Sequence, residues 1–122
     1  MNTYPLYSPE GHILAFEIEN VYIGVKKIAT LLRSFDGVSD IRVRKLFSAA
    51  PDIHIEFIYK ERVFIVWEPY ADSSRYWIGP KDDANKEIDL GAIESLFRQY
   101  RPMTIIKLIG DLVSFKFLKR GE

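Results

Sequence analysis

The residues best equipped for chemistry crowd into one stretch, VWEPYADSSRYWIGP, residues 66–80. Glu68, Asp72 and Arg75 lie close together, with Tyr70, Tyr76 and both tryptophans of the chain, Trp67 and Trp77, around them. Two carboxylates at this spacing can run general acid–base chemistry when burial or a like-charged neighbour separates their pKa values. Nothing in the sequence shows such burial. Trp, Tyr and Arg are also the types that dominate protein–protein hot spots. Glu68, Tyr70, Asp72, Arg75 and Tyr76 are therefore the candidate binding residues. The competing account is structural. The tryptophans pack across neighbouring strands, Pro69 ends a strand, and Arg75 pairs with Glu68 or Asp72 to brace the connecting loop.

Other chemistries find less support. The seven glycines form neither GxGxxG nor GxxxxGK[ST], which argues against nucleotide binding through a glycine-rich loop. With no cysteine there are no disulfides, no thiolate nucleophile and no sulfur-ligated zinc. His54 and Glu56, two apart on a strand, would share a face, and His12 could join them; HxE alone supplies too few ligands for a metal. Ser73 and Ser74 read as turn residues whose hydroxyls bond the backbone. No cofactor, metal site or catalytic residue is expected.

Seventeen basic residues balance seventeen acidic ones. A protein that lives on phosphate backbones usually carries a basic excess, so nucleic acid is a poor partner. Arg42, Arg44 and Lys45 form one dense basic patch, better read as charges guarding an edge strand than as a phosphate track. Zero net charge also removes the repulsion that keeps copies apart, leaving a homo-oligomer open. No basic run precedes an apolar one at the N-terminus, and no apolar stretch approaches the ~20 residues of a membrane span. The expectation is a cytoplasmic protein with no membrane partner.

The elements that must position these residues follow from periodicity. Ser8-Pro9-Glu10-Gly11 fits a type I turn, and His12 to Ile18 reads as a strand. Val21, Val25, Ile28, Ala29 and Leu32 recur at helical spacing, with Asn20 as N-cap and Gly24 inside the helix, tolerated there by close approach to a sheet. Val38 to Leu46 follows as a strand. Asp52 to Glu68 gives a hairpin turning at Lys60-Glu61, which would pair Tyr59 with Arg62, Phe57 with Phe64 and His54 with Trp67. Arg75 to Ile78 is a further strand, Gly79 to Asn85 a loop, and Asp89 caps a second helix that runs to Tyr100. Residues 102–109 fit a short helix or the first arm of a hairpin, and 113–117 fit a strand. The ends, 1–5 and 119–122, are expected to fray.

One domain of 122 residues is expected, of class α+β. It should hold a mainly antiparallel sheet of five or six strands, with two or three helices on one face. The favoured function is a non-enzymatic protein-binding module of the bacterial-immunity or inhibitor type. The alternative is a small-ligand-binding protein or minor enzyme with its pocket at the 69–87 loop.

Overall fold

The computed structural model describes residues 1–20, 23–43, 53–68, 74–82 and 88–101. It is an α+β arrangement with the chain order β1 (Thr3–Tyr7), β2 (Ile13–Glu19), α1 (Val25–Arg33), β3 (Val38–Val43), β4 (Ile53–Tyr59), β5 (Arg62–Trp67), β6 (Arg75–Pro80) and α2 (Gly91–Gln99). The six strands form one antiparallel sheet in the order β1-β2-β6-β5-β4-β3. After β2 the chain crosses by way of α1 to the far edge. It then meanders back through β3, β4 and β5 until β6 lies against β2.

Both helices bury an apolar stripe on the same sheet face. Ile28, Ala29 and Leu32 of α1, with Ile93 and Phe97 of α2, join Phe16, Ile18, Ile55, Phe57, Phe64, Val66 and Ile78 in one core. Strand residues with the same orientation alternate with residues of the opposite face, and β2, β4, β5 and β6 send alternate side chains into this core. That alternation places the chemistry.

The β4–β5 hairpin follows the pairing expected from its sequence at Phe57–Phe64 and Tyr59–Arg62. Its turn residues Lys60 and Glu61 both hold positive φ, 50° and 66°, which a two-residue turn of this hand demands. Ser8-Pro9-Glu10-Gly11 forms its turn, with the Gly11 amide donating to the Ser8 carbonyl at 2.9 Å.

Several expectations need correction. Thr3–Tyr7 does not fray but pairs along β2, and the Met1 ammonium donates to the Arg98 and Tyr100 carbonyls at the end of α2. Strand β6 continues through Gly79 and Pro80, residues whose types read as loop. The N-cap of α1 is Gly24, not Asn20, and a Cβ built on Gly24 would meet nothing, so no close approach explains it. Asp89 stands one residue before the α2 cap, Leu90, and its Oδ1 accepts from the Gly91 amide at 3.0 Å and the Ile13 amide at 2.9 Å. It thus stitches the helix start to β2. The expected helix at 102–109, strand at 113–117 and residues 44–46 lie outside the described residues.

Candidate functional site

The bulge in β4 decides where His54 goes. Ile53, rather than His54, pairs with Trp67, and the register slips by one before Ile55 meets Val66. A slip of one residue exchanges faces in a strand. His54 therefore does not share a face with Glu56. Its ring stands edge-on to Tyr76, with centroids 5.6 Å apart, and its Nε2 lies 3.6 Å from Glu68 Oε1. That Nε2 is buried and makes no hydrogen bond. Glu68 is steadied from its other oxygen, which accepts from Asn20 Nδ2 at 3.0 Å, while the Asn20 amide donates to the Ser74 carbonyl at 2.8 Å.

These four residues, Asn20, His54, Glu68 and Tyr76, form a half-buried polar group at one end of the helix-covered side. Tyr76 is only 8% exposed. Burial pushes its hydroxyl pKa up, and the nearby Glu68 charge pushes the same way. Chemically, a carboxylate beside an imidazole orients the ring. Among the described residues no group of three or more His, Asp or Glu could hold a metal.

Arg75 sits elsewhere. It pairs with Glu19 across β2–β6, one residue out of phase with Tyr76, so the two project to opposite faces. Its guanidinium lies 3.6 Å above the ring of Tyr4, and Nη1 comes within 3.8 Å of Glu17 Oε1. The Tyr4 hydroxyl donates to Glu19 Oε1 at 2.6 Å, and that bond is the main reason its pKa rises above the ordinary tyrosine value. Strand β1 builds this cluster by presenting Tyr4 opposite Glu17. Beyond it on the same face, Leu6 is 58% exposed. Tyr7, at the strand end, is 59% exposed.

The expected site thus divides. Glu68 and Tyr76 come together on the helix side, Arg75 lies on the sheet face away from α1 and α2, and Tyr70 and Asp72 fall outside the described residues. The tryptophans behave as the structural account expects: Trp67 pairs with Trp77 across β5–β6, rings perpendicular and 5.7 Å apart. Trp77 also explains the strand glycine. A Cβ on Gly79 would sit 2.6 Å from the Trp77 ring and 2.8 Å from Ala15 Cβ, so the indole lies flat over bare backbone.

Sequence reasoning missed Tyr4, Glu17 and Glu19, because a five-residue strand containing Pro5 does not look like a strand. It also missed the His54–Glu68 contact, because a bulge leaves no mark in an alternating pattern. Arg42 is on β3, the last strand of the described sheet, which suits the edge-guarding account; Arg44 and Lys45 lie outside the described residues.

No protein-family model, no curated protein and no solved structure matches this chain.

Proposed function

We propose that this chain is a non-enzymatic protein-binding module of the bacterial-immunity or inhibitor type, acting in the cytoplasm through the sheet face away from α1 and α2, at its β1–β2–β6 edge. The observation that carries the reading is the Arg75 guanidinium held 3.6 Å over Tyr4 beside the exposed side chain of Leu6. Arg and Tyr supply much of the binding energy in protein interfaces, and more so when fixed beforehand, since less side-chain entropy is then lost on binding. Glu17 and Glu19 fix them here. The contact area differs from the one expected from sequence: Arg75 is kept, Glu68 and Tyr76 are not, Tyr70 and Asp72 lie outside the described residues, and Tyr4 and Leu6 enter.

The test is capture of partners by the full chain from cells that encode it, with light scattering to identify self-association. Wild type should retain one partner in stoichiometric amount. Arg75→Glu and Leu6→Asp, both folded, should each retain at least ~10-fold less, about 1.4 kcal/mol of lost affinity. Equal retention by all three proteins contradicts the proposal.

A second reading, a ligand-binding protein or minor enzyme at the helix-side end, is favoured by the buried Nε2 of His54 at 3.6 Å from Glu68. There the imidazole would move a proton and Glu68 would orient it. Under this reading His54→Gln abolishes turnover or ligand binding and leaves partner capture unchanged. Loss of capture alone, through Arg75→Glu, speaks for the first.

A further inference from the structure

We propose that the opposite half of the same sheet face carries a separate binding site, a cavity of about 190 Å³ between β3, β4 and β5 that takes a zwitterionic aliphatic amino acid. It is lined by Asp40, Arg42, Glu56, Ile58, Val63 and Lys81. Ile58 and Val63 are cross-strand partners and supply its apolar surface. Glu56 and Lys81 form an ion pair at its inner side: Lys81 Nζ stands 2.5 Å from Glu56 Oε1, whose side chain is 13% exposed.

At the rim, Asp40 and Arg42 are both exposed, and among the described residues neither side chain has a hydrogen bond, an ion pair or a ring contact. Arg42 lies directly across from Glu56 in the β3–β4 register yet makes no ion pair with it. Asp40 occupies the irregularity between Ser39 and Arg42 with φ of 52°. Such bulges re-aim side chains and recur beside binding sites. Guarding an edge strand accounts for charge at these positions, but not for one carboxylate and one guanidinium opening onto the same cavity.

Size and charge together select the ligand. A cavity of about 150 Å³ accommodates benzene, and drug-sized ligands need roughly 300 Å³ or more. The space here suits a molecule slightly larger than benzene. A simple anion would meet Asp40 and Glu56, and a simple cation would meet Arg42 and Lys81. A dipolar molecule avoids both conflicts. Its carboxylate meets the two-pronged guanidinium of Arg42, its ammonium meets Asp40, and an aliphatic side chain covers Ile58 and Val63.

The experiment is a titration of the isotope-labelled full chain with L-leucine, followed by amide NMR shifts. Saturable shifts at Asp40, Arg42, Ile58 and Val63 are expected, with a dissociation constant on the order of 1 mM. Leucinamide, which lacks the carboxylate, and N-acetyl-leucine, which lacks the ammonium, should each bind at least ~10-fold more weakly to the unmutated protein. Asp40→Asn and Arg42→Gln should weaken leucine binding by a similar factor while their spectra keep the native dispersion. Absence of saturable shifts at these amides overturns the proposal. So does equal binding of either analogue, or leucine binding that survives Arg42→Gln.

Discussion

Strand β6 presents neighbouring residues to two different environments. Tyr76 faces the helices, buried against His54, and the chain closes around it. Arg75, the residue before it, faces the other way and is held by surface partners, Tyr4 and Glu17. A single φ/ψ step separates a side chain packed beneath the helices from one laid over a neighbouring ring on the other face. The candidate residues were adjacent in sequence, but a strand sorts adjacent residues onto opposite faces. Proximity along a strand therefore divides a site more readily than it assembles one.

That contrast is open to attack by substitution, and the largest effect should come from the covered side. Tyr76→Ala removes a buried ring and leaves a cavity, costing about 3 kcal/mol in urea unfolding with an unchanged denaturant slope. On the opposite face, Gly79→Ala should cost about 2 kcal/mol, because the new methyl displaces the Trp77 indole that now lies over the glycine. The same substitution at an uncovered strand glycine would stabilise, so the sign of this change reports whether the indole is where the structure has it.

Asp89→Asn gives a smaller and pH-dependent effect, about 1 kcal/mol at neutral pH, from the weakening of two charge-assisted hydrogen bonds. The Ile13 amide, first, and the Gly91 amide hold the Asp89 carboxyl below its ordinary pKa. A depressed pKa contributes stability that is present in full above the unfolded-state value, about 3.9, and disappears as pH falls through the folded-state value. Wild type and variant should therefore differ at pH 7 and converge in acid, as read by unfolding midpoints across that range. Smallest is a gain. Replacing Lys60-Glu61 with Asn-Gly should stabilise by about 1 kcal/mol, since both positions hold positive φ that Asn and Gly adopt more readily. The loss of the Lys60 ammonium over the Tyr59 ring, at 5.3 Å, offsets part of it.

Where the local signal was strong, the sequence carried the fold. Alternation from Ile53 to Tyr59, helical spacing through Ile28, Ala29 and Leu32, and the Ser8-Pro9-Glu10-Gly11 turn each mark an element found in the structure. The register of β4 against β5 was legible at its turn and failed at its far end, where one extra residue at the bulge re-aimed His54. Strand β1 was illegible because its short run with Pro5 lacks any local strand signal; its pairing with β2 holds it. The same non-local cause hid the partners of Arg75. Glu17 and Tyr4 are far from it in sequence, and only the strand order β1-β2-β6 brings the three together.

Under the proposed reading, Arg75 serves a partner outside the fold, whereas Tyr76 serves the fold itself. Parallel urea unfolding of Arg75→Ala and Tyr76→Ala tests it most directly. The account predicts a change within about 0.5 kcal/mol for Arg75→Ala, as for a half-exposed surface cation whose partners are only partly buried, against a loss of about 3 kcal/mol for Tyr76→Ala. A loss for Arg75→Ala as large as that for Tyr76→Ala would show that the arginine braces the sheet, and would contradict the account.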